Sequence, residues 1–226
     1  MIHTRFAAAF RRRFPSRNPA GPLKYHFIHI PKNGGRSVRA ALAKRGDILL
    51  TEPLHARYID VVDSLGSGLR FFCIVRNPWS RTASRYLFAR RVSRHWPEAD
   101  PRRVYIERAS FADFVREQKV FEIPQHPGQP WMGPMNSWFD QLDWISDDSH
   151  IVRCACLRLE RLDADLAAYF GERIDVPKVN VTKTPYDYRS MYDDELKQMI
   201  AHKFARDIEH FGFLFESGAT RNVVGI

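Results

Sequence analysis

The stretch Tyr25-His26-Phe27-Ile28-His29-Ile30-Pro31-Lys32-Asn33-Gly34-Gly35-Arg36-Ser37 constrains the fold more than any other part of the chain. Aromatic and β-branched residues alternate through its first half, which predicts a buried strand. Pro31 has no N–H for a ladder and ends that strand. Gly34 and Gly35 let the backbone turn sharply and approach a ligand closely. Residues 36–44 then read as a helix, with Gly46 as its stop. A strand, a glycine loop and a helix N-terminus aim free N–H groups and the positive end of a helix dipole at one spot, which suits a phosphate. The nucleoside-triphosphatase loop ends in Gly-Lys-Ser/Thr. Here Lys32 precedes the glycines, and Arg36 separates them from Ser37. Lys32 therefore reaches the anion from the strand side, where an ammonium stabilises charge on a leaving phosphate oxygen. A tight strand–helix turn with a solvated Lys32 is the alternative reading.

The following residues predict an α/β architecture. Residues 47–51 read as a short second strand and 56–65 as a helix ending near Gly66. Residues 69–75 form a continuous apolar run, as in a strand covered on both faces. The next helix opens at 76–81 and runs to about Arg94. Strand, helix, strand, helix at this spacing implies a mainly parallel sheet between helices. Residues 95–103 read as irregular, and 110–117 as a helix capped by Ser110. Residues 122–134 read as a long loop of the kind that faces substrates. Residues 151–157 suit a strand, 163–170 a helix closed by Gly171, and 193–211 one amphipathic helix ending at Gly212. A chain of 226 residues, 44% of them hydrophobic, suits one domain with a sizeable core. We expect a basic arm and linker over 1–22, the domain over 23–216 and a tail over 217–226.

Thirty-five Lys and Arg against 26 Asp and Glu leave a net charge of +9, which favours anionic partners without naming one. Cys73, Cys154 and Cys156 sit in apolar or alternating runs, so buried thiols are expected rather than disulfides or a metal site. No apolar run approaches the roughly 20 residues that span a bilayer. The sequence carries no secretory signal pattern, so a cytoplasmic location, at most peripheral to the inner membrane, is expected.

Arg76 follows a buried strand and opens a helix, and Ser84 lies two turns on. A guanidinium fork and a hydroxyl can share one phosphate. Ligands of open α/β sheets bind beyond the carboxyl ends of strands, so Lys32 and Arg76 together suggest a ligand with two separated phosphates. Taken singly, Arg76 reads as a helix cap and Ser84 as an ordinary helix residue; it is the pair of strand ends that shifts the reading. His55, in the loop between them, suits a general base near neutral pH. Of His26 and His29, one is expected to point into the core.

His29-Ile30-Pro31-Lys32-Asn33-Gly34-Gly35-Arg36-Ser37 resembles the 5′-phosphosulfate loop of the membrane-type and bacterial carbohydrate sulfotransferases. Val75-Arg76-Asn77-Pro78-Trp79-Ser80-Arg81, with Ser84 and Tyr86, resembles their 3′-phosphate motif. Residues 157–162, 179–183 and 204–213 are similar to later blocks of that family. The likeness covers residues 25–215, apart from 98–134. It implies a P-loop-like three-layer α/β/α fold that binds 3′-phosphoadenosine 5′-phosphosulfate (PAPS) and moves its sulfuryl group to an acceptor hydroxyl on a glycan or glycolipid. By position, Lys32 would meet the 5′-phosphate and its bridging oxygen, and Asn33, Gly34, Gly35, Arg36 and Ser37 would cradle that phosphate. Arg76 and Ser84 would hold the 3′-phosphate, Asn180 and Lys183 would close over the nucleotide, and His55 would be the catalytic base. The family usually has Thr or Ser where Arg36 stands, so the side chain at 36 is a departure. No metal is expected. A P-loop nucleoside or sugar kinase and a non-enzymatic polyanion-binding module are the competing readings. The arginines at 90, 91, 94, 102 and 103 permit an anionic acceptor or form a solvated surface. Trp131, Trp138 and Trp144 stack on sugars or fill core.

Overall fold

The computed structural model describes residues 23–50, 55–65, 68–123, 133–177 and 186–225. The expected N-terminal arm, Trp131, most of the 122–134 loop, and both Asn180 and Lys183 lie outside the described residues. Four parallel strands form one sheet: β1 Tyr25–Ile28, β2 Ile48–Leu49, β3 Arg70–Val75 and β4 Ala155–Arg158. Their order is β2-β1-β3-β4, with Phe27 paired to Phe72 and Cys73 to Cys156. The helices of the described residues are α1 Gly35–Leu42, α2 Tyr58–Leu65, α3 Pro78–Ser93, α4 Pro101–Arg108, α5 Phe111–Glu117, α6 Leu142–Ile145, α7 Leu162–Phe170, α8 Asp194–Lys203 and α9 Ala205–Phe211.

The two-residue period of the strands sorts side chains onto two cores. Phe27, Phe72, Ile74 and Leu157 pack with Val38 and Leu42 of α1 and Leu166 of α7. Ile28, Phe71, Cys73, Val75 and Cys156 join a second core with Val61 of α2 and Trp79 and Ala83 of α3. Burying such a side chain contributes roughly 1.5–3 kcal/mol, so a register slip of one residue would exchange the two cores and lose both. The chain leaves β1 toward β2 on one side and returns to β3 on the other. Strand order therefore reverses between β1 and β3, and in open α/β sheets ligands bind at the carboxyl ends of the strands at such a switch point.

Local signals explain most helix ends. The Asn77 side chain accepts the Ser80 N–H at 3.1 Å, and Pro78 supplies the first helical residue of α3. Ser110 and Asp113 form the capping box of α5. Gly171 and Gly212 close α7 and α9 in the left-handed region.

Four readings change. Gly46 does not stop α1, which ends at Leu42; Arg45 instead turns to meet Asp47 and Glu172. Residues 101–103 are helical, because Asp100 caps α4 at the Arg102 N–H and Pro101 begins it. β4 starts at Ala155, since Asp147 gathers the N–H groups of Ser149 and Ile151 into a turn just before it. The helix expected over 193–211 is two helices, broken at Phe204, whose φ of −114° leaves the helical range while its ring is buried. Trp138 and Trp144 are core residues, 5% and 1% exposed, and so do not stack on sugars. His26 and His29 are both buried. The three cysteines are free, buried thiols. The C-terminal segment is packed: Ala219 and Val223 are buried, and the Val224 N–H donates to the Cys156 carbonyl at 2.9 Å. No helix among the described residues is long and apolar enough to cross a membrane.

Candidate active site

β1 delivers the glycine loop and β3 delivers Arg76 to this switch point. In the loop, Lys32 (φ 69°) and Gly34 (φ 75°) are both left-handed. For a lysine that conformation costs about 1–3 kcal/mol and concentrates at functional sites. A Cβ on Gly34 would stand 2.6 Å from Leu159 Cδ1, and one on Gly35 would stand 2.0 Å from the His29 ring. The left-handed Gly34 followed by helical Gly35 turns successive N–H groups toward one concave side. The N–H groups of Gly34, Gly35 and Arg36 donate to no described residue.

Arg76 ties the two loops together. Its Nε and Nη2 donate to Ser80 Oγ at 3.0 and 2.8 Å, and its Nη1 donates to the Lys32 carbonyl at 2.9 Å. Arg81 does the same one residue earlier in the loop, with Nε donating to the Pro31 carbonyl at 3.2 Å. The Lys32 ammonium lies 3.9 Å over the Phe88 ring, and the Arg91 guanidinium lies 5.2 Å from the same ring. Ser80, Ser84, Phe88 and Arg91 follow helical spacing along one face of α3. Lys32, Arg76, Ser84 and Arg91 thus share that face.

The electrostatics are lopsided. Burial, then Arg76, Arg91, Arg36 and Arg85, lowers the Lys32 pKa to about 7. Among the described residues, none of Lys32, Arg36, Arg76 or Arg91 pairs with a carboxylate, whereas Arg102 pairs with Asp100 and Arg103 with Glu107. Arg90 is spent on the Tyr86 hydroxyl and the carbonyls of Ile106 and Ala109. Of the arginines at 90, 91, 102 and 103, Arg91 is the one that faces Phe88 and Lys32. Gathered cations without a counter-charge are unfavourable until an anion joins them.

A buried polar network sets this geometry. Asn33 Nδ2 donates to the Ile74 carbonyl at 2.7 Å and to Gln141 Oε1 at 2.6 Å. Gln141 brackets the Arg76 peptide, accepting its N–H and donating to its carbonyl, both at 2.9 Å. Asp207 in α9 accepts the N–H groups of Gln141 and Leu142 at 2.7 and 3.0 Å. Burial, then Asp140, raises the Asp207 pKa to about 7, against those two N–H bonds. Asn33 is 1% exposed, which corrects its expected place in the phosphate cradle: its amide faces inward and couples the β1 loop to β3. Ser37 gives its N–H to the Gly34 carbonyl, closing the first turn of α1.

No family model matches this chain, and no curated protein matches it.

His55 Nδ1 stands 3.1 Å from the His29 carbonyl. A carbonyl only accepts, so Nδ1 carries the proton and Nε2 keeps its lone pair. Burial is the main cause holding the His55 pKa below 6.5, with Arg39 and Lys32 adding to it against the His29 hydrogen bond. Its ring centroid lies 4.6 Å from that of His29. The structure thus sets Lys32, Gly34, Gly35 and Arg36 beside Arg76 at the carboxyl ends of β1 and β3, with Ser84 one turn beyond Ser80 on α3 and His55 at the His29 carbonyl. Two open grooves of about 450 and 570 Å³, at α4–α5 and at α1 with residues 172–177, include none of these residues. Sequence reasoning missed Gln141, Asp207 and the anchoring role of Ser80. Only Ser80 carried a signal, four residues beyond Arg76.

Proposed function

We propose that the chain is a PAPS-dependent sulfotransferase with a P-loop-like α/β/α fold, acting on an acceptor hydroxyl of a glycan or glycolipid. The observation that carries this reading is the cation cluster, uncompensated among the described residues, built from two strand ends at the switch point and joined by the Arg76–Lys32 hydrogen bond. It suits a nucleotide with a phosphate at each end. The N–H groups of Gly34, Gly35 and Arg36 take the 5′-phosphate, and Arg76 with Ser84 takes the 3′-phosphate. Lys32 meets the oxygen bridging phosphorus and sulfur. Sulfuryl transfer is an in-line displacement, which depends on positioning and charge stabilisation. His55 Nε2 takes the acceptor proton as the acceptor oxygen bonds to sulfur. The bond from sulfur to the bridging oxygen breaks, its electron pair stays on that oxygen, and Lys32 stabilises the charge. The products are the sulfated acceptor and adenosine 3′,5′-bisphosphate.

The kinase reading wants a Gly-Lys-Ser/Thr loop, which the sequence lacks. Thermal shift separates the readings. The bisphosphate alone is expected to stabilise the protein, ATP with Mg²⁺ and an oligonucleotide much less. Equal stabilisation by the oligonucleotide would favour the polyanion-binding module. Transfer from labelled donor across sugars, glycolipids and small alcohols then identifies the acceptor.

A further inference from the structure

We infer that His29 is a second catalytic contact, an uncharged donor whose Nε2–H bonds a non-bridging oxygen of the sulfuryl group as it passes from donor to acceptor. This deepens the proposed sulfuryl transfer and rests on it.

His29 is 7% exposed, and its Nδ1 is sealed from solvent without a hydrogen-bond partner. A buried orphan N–H is rarer than a buried orphan acceptor, so Nδ1 carries the lone pair and Nε2 the proton. That Nε2 would lie 2.1 Å from a Cβ on Gly35, which places this edge of the ring at the first residue of α1. The other neighbour of the ring is His55, with centroids 4.6 Å apart. His29 therefore stands between the loop that holds the leaving phosphate and the base that holds the attacking hydroxyl. The group that crosses that interval is the sulfuryl group. Burial first, then His55, Arg39, Arg36 and Lys32, drives the His29 pKa well below 6.5. A neutral imidazole at a helix N-terminus can polarise a reacting group without consuming a proton. His29 makes and breaks no covalent bond; it stabilises charge on sulfuryl oxygens while the proton goes to His55 and the electron pair to the bridging oxygen.

The variants His29→Gln, His29→Asn and His29→Leu test this, because each leaves the backbone carbonyl that orients His55. A glutamine amide nitrogen reaches the place of Nε2; an asparagine nitrogen stops near Nδ1. Transfer by the Leu and Asn variants is expected to fall roughly 10²-fold or more, with Gln recovering most of it. Affinity for adenosine 3′,5′-bisphosphate, which has no sulfuryl group, is expected to stay within about threefold by calorimetry. Unchanged transfer in His29→Leu, or parallel loss of transfer and bisphosphate affinity, overturns the inference. Wild-type protein that neither binds the bisphosphate nor transfers sulfate overturns the sulfotransferase reading itself. Nitrogen NMR of the wild-type imidazole stands apart from variant folding: a neutral Nε2–H tautomer at pH 7 is expected, and an Nδ1–H tautomer or an imidazolium overturns the assignment.

Discussion

Arg76 and Arg158 stand at the carboxyl ends of neighbouring strands and have opposite partners. Arg158 ends β4, where Asp165 takes its backbone N–H at 2.8 Å, its Nε at 2.8 Å and its Nη2 at 2.6 Å. Both side chains are almost fully buried. The side chain of Arg76, one position past β3, bonds only a hydroxyl and a carbonyl among the described residues. Neutral oxygens orient a guanidinium but leave its charge uncancelled. The field of Arg158 ends at Asp165, whereas the field of Arg76 extends beyond the strand ends, where Lys32, Arg36 and Arg91 add to it. The contrast separates a charge that completes the fold from one held for a ligand.

The largest test of that contrast is Asp165→Ala. It strands a buried guanidinium and is expected to cost about 3–5 kcal/mol in urea unfolding, while Arg76→Ala, which gives up hydrogen bonds to neutral oxygens, should cost about 1 kcal/mol. Equal losses for both would erase the distinction. Next is Lys32→Ala, expected to lower transfer roughly 10²–10³-fold without lowering the melting temperature, since an empty site gains nothing from a buried ammonium among arginines. A lower melting temperature would mean that Lys32 serves the fold. Burial by loss of charge offers a third case. His26 in β1 has a pKa of about 4, caused mainly by burial and next by Arg39. Its folded pKa is depressed, so the unfolded chain binds the proton first. Stability is intact above pH 6.5 and falls as pH drops from 6.5 toward 4, by up to about 3 kcal/mol from this residue. Urea unfolding at pH 7 and pH 4.5, compared between the wild type and His26→Gln, separates this residue from His29 and His55, and an equal pH dependence in both proteins would place His26 nearer solvent. The smallest effect is Ser80→Ala, which frees the Arg76 fork and should weaken bisphosphate binding about three- to tenfold, the size of one hydrogen bond.

Much of the fold was legible because its signals are local. Alternation at 25–30 and the apolar run at 69–75 mark β1 and β3, and Pro31 and Pro78 mark where strand yields to loop and loop to helix. Asn77, Ser110 and Gly171 cap helices through bonds to residues only a few positions away. The misreadings came where a distant contact outweighed a local preference. Phe204 breaks a periodic helix so that its ring reaches the core and α9 brings Asp207 under Gln141. Asn33 sits in a phosphate-loop pattern, yet its amide is taken by Ile74 and Gln141, partners 41 and 108 residues away. Trp138 and Trp144 read equally well as sugar platforms or core until burial decided between them.

By itself, the sequence determined which segments become strand, glycine loop and helix, and that two cationic side chains end two of those strands; backbone sterics and side-chain periodicity act within a few residues. Tertiary structure alone decided that the two strand ends adjoin, that Asn33, Gln141 and Asp207 fasten them, and that the His29 ring meets both His55 and Gly35. Those outcomes depend on strand order and on buried hydrogen bonds between residues far apart in the chain. A partner's identity there is set by which groups packing leaves without water.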